Sequence, residues 1–120
     1  MTLYEYEPLP INIMTIADLF NRFEILRDRA NEPELPAQLV STFLFIASQG
    51  DVAQADIITA TGISKSATSR NVSWLGPRNK LKRRDGLKWV RIYQDPENWR
   101  ANRIELTPLG REVAEALIRG

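Results

Sequence analysis

The stretch Thr61-Gly62-Ile63-Ser64-Lys65-Ser66-Ala67-Thr68-Ser69-Arg70-Asn71-Val72-Ser73-Trp74-Leu75-Gly76-Pro77 concentrates side chains suited to contact a polyanion. Ser64 is a good N-cap, because its hydroxyl can accept from the partnerless amides of a first helical turn, and Gly76-Pro77 stops the helix. At about 100° per residue, Thr68, Val72 and Leu75 share one side, with Ser66, Ser69, Arg70 and Ser73 opposite. A helix face that merely meets water usually carries Glu and Lys, which are good helix formers, so three serines beside an arginine are a poor choice for stability alone. Small hydroxyls and a long cation do suit close approach to phosphates and base edges. An exposed serine-rich helix without a partner is the plainer alternative.

More positive charge follows. Arg78-Asn79-Lys80-Leu81-Lys82-Arg83-Arg84 holds five cations in seven residues, and Trp99-Arg100 comes after a turn. The net charge of +1 hides this asymmetry: residues 1–62 carry nine acidic and three basic side chains, whereas residues 63–104 carry eleven basic and three acidic. One continuous third of the chain therefore has the electrostatic footprint of a polyanion partner. On this reading Lys65, Lys80, Lys82, Arg83 and Arg84 neutralise phosphates, while Arg70 with Ser66, Ser69 and Ser73 reads base edges.

Other chemistries are poorly supplied. The chain has no cysteine and no histidine, which removes disulfides, thiolate metal sites and the commonest general base. With no recognisable carboxylate pair, metal set or activated nucleophile, neither an enzyme nor a metal or cofactor site is expected. The start of the chain lacks a basic-then-apolar signal pattern, and no apolar run approaches the roughly 18 residues of a membrane span, so a soluble cytoplasmic protein without membrane contact is expected.

The elements that must position these residues follow from periodicity and punctuation. Residues 1–14, with Tyr4, Glu5, Tyr6, Glu7, Pro8 and Pro10, read as an extended arm, and residues 15–120 as one domain. Thr15 with Asp18 opens an amphipathic helix over 15–29, and Pro36 opens a very apolar one over 36–48. Asp51 with Gln54 resembles a capping box for a short helix to about Thr61, and Gly62-Ile63-Ser64 is a turn of the length that joins helix-turn-helix pairs. Leu87 to Gln94 reads as a strand with Val90 and Ile92 on one side and Trp89, Arg91 and Tyr93 on the other. Asp95-Pro96-Glu97-Asn98 is turn chemistry, and a second strand over 102–106 completes a hairpin. Thr107-Pro108 starts a closing helix, marked by Leu109, Val113, Ala116 and Leu117. Trp74 and Trp89 read as packing residues; Trp99, near the turn tip, has little core to join. The fold class is mainly α with a small β-hairpin (α+β), in the order α-α-α-α-β-β-α.

A helix-turn-helix followed by a basic hairpin is the winged helix-turn-helix arrangement. The run Ser64 to Arg70, then Gly86-Leu87, then Asp95-Pro96-Glu97-Asn98-Trp99-Arg100 and Ile104-Glu105-Leu106-Thr107-Pro108-Leu109-Gly110, resembles the MarR family of bacterial transcription regulators over about residues 36–118. The wing from Arg100 to Leu106-Thr107 and Gly110 is the most specific part of the likeness. Two departures are visible: Asn98 stands where the family usually has Asp, and the segment 77–85 is longer and more basic than the usual link. The resemblance implies a sequence-specific double-stranded DNA-binding transcription regulator. Ser66, Ala67, Ser69 and Arg70 would then lie in or beside the major groove, with the recognition helix over 64–75. Arg100 would enter a narrow minor groove from the wing 87–106, beside Trp99. The resemblance also implies a homodimer through helices 15–29 and 108–119. The alternative is a winged-helix protein-interaction module that binds a transcription or replication protein, since fold does not settle function.

Overall fold

In the computed structural model, residues 14–79 and 82–120 are described; all of the expected arm except Met14 lies outside them, as do Lys80 and Leu81. Helix α1 (Ile16–Ala30) begins with the anticipated capping box: the Thr15 hydroxyl accepts from the Asp18 amide, and the Asp18 carboxylate accepts from the Thr15 amide, both at 3.0 Å. Helix α2 (Ala37–Gln49) follows Pro36 and buries Leu39, Phe43 and Ile46 at the centre of the core. Gly50, at φ 85°, then turns the chain in a way a side chain would resist.

Asp51 does not open a helix; Asp51–Ala53 is a strand, β1, paired antiparallel with a later strand. Three residues are too few to show a period, and their strand character comes from Val52 lying opposite Ile104 in the core. Helix α3 (Gln54–Thr61) starts two residues later than expected, capped at Ala53, with the Asp56 carboxylate accepting from the Ala53 amide at 3.1 Å. Gly62, left-handed at φ 73°, makes the turn into helix α4 (Lys65–Leu75), which Ser64 caps by accepting from the Ala67 amide at 3.2 Å.

Beyond α4 the chain forms a two-stranded ribbon, β2 (Arg78–Asn79) with β3 (Arg84–Asp85), and then the wing hairpin, β4 (Val90–Asp95) with β5 (Asn98–Leu106). The wing register runs from Val90↔Leu106 through Tyr93↔Arg103 to Asp95↔Asn98, with an irregularity at Gln94/Asp95. With β1 it gives a three-stranded sheet in the order β1-β5-β4. Trp89 packs in the core as expected, but it lies ahead of the strand instead of on it. Lys88 takes a left-handed φ of 63°, the strand starts only at Val90, and the Trp89 ring enters the core 4.9 Å from that of Phe43. Val90 is buried, whereas Ile92, expected on the same side, is 38% exposed.

Helix α5 (Pro108–Arg119) is capped by Thr107, whose hydroxyl accepts from the Gly110 amide at 3.0 Å and donates to the Lys88 carbonyl at 2.7 Å. A Cβ on Gly110 would come 1.9 Å from the Trp89 carbonyl oxygen, so only glycine permits this approach. Arg22 of α1 donates to the carbonyls of Leu117 and Ile118 near the end of α5. The apolar stripe of α1 is only partly covered: Leu26 is buried, but Ile16 is 81% and Phe20 62% exposed. No described helix is long and apolar enough to cross a membrane.

Candidate nucleic-acid interface

The α3–turn–α4 unit is set by burial of one face of α4. Thr68, Val72 and Leu75 point into the core as their spacing required, leaving Lys65, Ser66, Ser69 and Arg70 exposed. Two residues expected on the outer face are turned inward. Ala67 is buried, since it neighbours Thr68 on the side packed against the core. Ser73 is 7% exposed, and its Oγ donates to the Arg78 carbonyl at 2.6 Å. The cause lies after the helix: the chain folds back, and the amides of Leu87 and Trp89 donate to the carbonyls of Trp74 and Leu75 at 2.8 and 2.9 Å. These bonds satisfy orphan carbonyls of the last turn and cover the face on which Ser73 sits.

At the other end of α4 the wing closes in. Gln54, Ile58, Lys65, Ser69, Arg100 and Asn102 line one concavity between α3, the first two turns of α4 and β5. No described carboxylate lines it, and neither Lys65, Arg70 nor Arg100 forms an ion pair with another described residue. Gln54 Nε2 donates to Ser69 Oγ at 2.9 Å and so fixes that hydroxyl. Nothing near Gln54 in the sequence pointed to this role, because the partners are fifteen positions apart.

Arg100 is held from two sides. Its amide donates to Asn98 Oδ1 at 3.3 Å, a turn that needs only an oxygen acceptor, so the missing carboxylate at position 98 leaves it intact. Its guanidinium lies 5.0 Å from the centroid of the Trp99 ring, and Trp99 is 68% exposed. The Trp99 carbonyl accepts from Gln94 Nε2 at 3.1 Å.

The cations of the ribbon form a separate group at the C-terminal end of α4, which spans about 16 Å. Lys82 Nζ lies 5.2 Å from the Trp74 ring centroid, Arg84 pairs with Glu32 at 3.5 Å, and Arg83 is exposed. Lys80 is outside the described residues. The ribbon is anchored by buried Asn79, whose Oδ1 accepts from the Lys82 amide at 3.2 Å.

A polar network covers the sheet. Asp51 on β1 accepts from the Tyr93 hydroxyl on β4 and from Arg103 Nε on β5, the latter at 2.9 Å. Desolvation alone would raise the Asp51 carboxyl, but the Tyr93 and Arg103 hydrogen bonds outweigh it and hold the carboxyl below its usual range. The same bond to Asp51 pushes the Tyr93 hydroxyl upward. Among the described residues no group of His, Cys, Asp or Glu could hold a metal ion.

No family model matches the sequence, and no curated protein matches it. Solved structures do. MarR is 19% identical, with 92% of this chain and 74% of that chain covered at a TM-score of 0.59. A DNA complex of S. aureus MepR is 18% identical, with 87% and 76% covered at 0.63. Bordetella bronchiseptica BpsR, whose DNA binding is regulated by 6-hydroxynicotinic acid, is 20% identical, with 87% and 72% covered at 0.56. These neighbours are MarR-family winged-helix regulators, and at such identities the likeness establishes architecture: the chain has the winged helix-turn-helix fold of the MarR type.

Proposed function

We propose that this chain is a transcription regulator that binds double-stranded DNA by sequence, with helix 64–75 in the major groove and wing 87–106 in the minor groove. One observation carries the reading: Lys65 and Ser69 from α4 and Arg100 from β5 share a concavity that no described carboxylate lines. Arg70, with Ser66 and Ser69, reads base edges, Lys65 takes a phosphate, and Arg100 enters the minor groove, where its stacking on Trp99 restricts its rotamers. Lys80, Lys82, Arg83 and Arg84 hold phosphates beyond the end of α4. Ala67 and Ser73 support the helix from beneath instead of reading DNA. Structures of MepR and AbfR on DNA use the same fold, which supports the assignment.

Binding to duplex DNA across a salt series tests this. If about six phosphates are neutralised, log affinity falls with log salt at a slope near −5. A flat response would refute the electrostatic part.

A second copy of the chain fits the apolar surface. Ile16 and Phe20 of α1 and Ile118 of α5 are exposed, beside a cavity of ≈ 250 Å³ lined by Leu19, Phe23, Leu44 and Leu117. Pairing through helices 15–29 and 108–119 predicts a twofold-symmetric site with half-sites about one helical turn apart. The mass in solution, with and without DNA, decides between one copy and two. Capture of a transcription or replication protein by a chain with no duplex affinity at low salt would favour the interaction-module alternative.

A further inference from the structure

Asp51, Tyr93 and Arg103 stand on three strands of one sheet face, and none of them is assigned to DNA above. Because β5 separates β1 from β4, a side chain on β4 must cross about 10 Å, two interstrand spacings, to meet one on β1. Tyrosine is among the few side chains with that reach, and the Tyr93 hydroxyl donates to one Asp51 oxygen while Arg103 Nε donates to the other. Arg103 also lies 4.0 Å from Asp95 at the end of β4. Arg91 completes the face, stacked 4.5 Å from the Tyr93 ring and paired with Glu105. Asp51 is directly opposite Glu105, a like-charge pair that would repel if the two arginines did not neutralise it.

The connectivity gives this network a mechanical meaning. Strand β1 runs straight into α3, so Asp51 belongs to the helix-turn-helix body, whereas Tyr93 and Arg103 belong to the hairpin. Strand β1 pairs only with residues 103–105 of β5, and residues 98–102 extend beyond it. Arg100 stands three residues past Arg103, about 10 Å along the strand. A swing of about 10° at Arg103 would carry Arg100 through about 1.7 Å, more than a hydrogen bond tolerates. Exposed ion pairs add little to global stability, so the more consequential role of this network is geometric.

We infer that Asp51, Tyr93 and Arg103 form a brace that fixes the angle of the wing and so the place of Arg100, making them positioning residues for the minor-groove contact. The inference rests on the DNA-binding reading above. It explains why the three side chains come from three separate strands: a tie between β1 and both hairpin strands resists rotation of the wing against α3.

The test compares the full chain as wild type, D51N, R100A and the double variant, by duplex DNA affinity at fixed salt and by amide hydrogen exchange of the free proteins. Asn at position 51 turns an amide toward one of the two donors, so one link breaks. D51N should bind about five- to tenfold more weakly, with faster exchange at residues 92–102 and unaltered exchange in α2 and α5. The double variant should bind no more weakly than R100A, because a misplaced wing and a missing side chain lose the same contact. Additive losses, unchanged wing exchange in D51N, or wild-type affinity in R100A would each overturn the brace. Absence of duplex binding by the wild type would remove the DNA reading instead. Wing exchange in D51N would still decide the brace, with faster exchange supporting it and unchanged exchange refuting it. Y93F, which deletes one hydroxyl and no charge, repeats the comparison should D51N fail to fold, and the same loosening of the wing is expected.

Discussion

Neutralising the ribbon, in the triple variant K82A/R83A/R84A, should separate affinity from sequence discrimination. The reasoning is geometric: these cations cluster at the C-terminal end of α4, about 16 Å from the end that meets the wing, and the exposed reading face does not include them. Of about six phosphate contacts, three would disappear, and the slope of log affinity against log salt should shrink from about −5 to about −2.5. Between 50 and 200 mM salt the wild type would then lose about a thousandfold in affinity and the variant about thirtyfold. The ratio of affinities for a selected site and a scrambled one should stay unchanged, since phosphate contacts carry no direct sequence information. Fluorescence anisotropy with both duplexes over that salt range measures the slopes, the losses and the ratio. Glu32 supplies a control: it holds Arg84 at 3.5 Å, so E32Q should raise affinity for both duplexes at low salt. An unchanged slope in the triple variant would put the ribbon off the DNA. A collapse of discrimination would make it a reader, and either result refutes the division proposed here.

Further expectations concern single residues. R70A should reduce discrimination between sequences by roughly 1 to 3 kcal/mol, whereas K82A weakens all sequences alike; competition binding with base-substituted duplexes compares them. Asp51 has a folded-state carboxyl held below its ordinary value of 3.8, so its stabilisation is present above that unfolded value and is lost as pH falls through the lower folded value. Acid unfolding of D51N should therefore converge on that of the wild type only below that window. The group is partly exposed, and the difference at neutral pH should stay under about 1 kcal/mol. G110A should lower stability by more than about 2 kcal/mol in urea unfolding, because its methyl would meet the Trp89 carbonyl oxygen at 1.9 Å.

The parts of the fold legible in the sequence were those whose physics is local. Thr15 with Asp18, Ser64, Thr107 with Pro108, and the left-handed Gly62 each act within three or four residues, and each marks the boundary it was expected to mark. What escaped depends on partners far along the chain. Strand β1 exists because Val52 meets Ile104, and Trp89 precedes the strand instead of joining it because the backbone of residues 86–89 caps the end of α4. The burial of Ser73 has the same origin. Within the site, Arg70, Ser69 and Lys65 could be placed from helical phase alone. The hold of Gln54 on Ser69 and that of Asp51 on Arg103 span fifteen and fifty-two positions, and no periodic signal records such pairings. Charge density along 78–84 was visible, but the folding of that run into a ribbon anchored by Asn79 was not, because Asn79 reads as an ordinary turn residue until its burial is seen.

Trp89 joins three elements through one residue: its amide bonds to Leu75 of α4, its carbonyl accepts from Thr107 before α5, and its ring rests on Phe43 of α2. Helix α4 and the base of the wing therefore leave a common post, and the Asp51 tie holds the wing at its angle above it. On the proposed binding mode the distance between the bases read by α4 and the flank entered by Arg100 is constant, and the protein acts as a ruler along the duplex. A base pair inserted between the two contacts shifts one from the other by about 3.4 Å and rotates it around the helix axis. A rigid ruler cannot follow that change, so operator spacing, as much as operator sequence, becomes something this fold can measure.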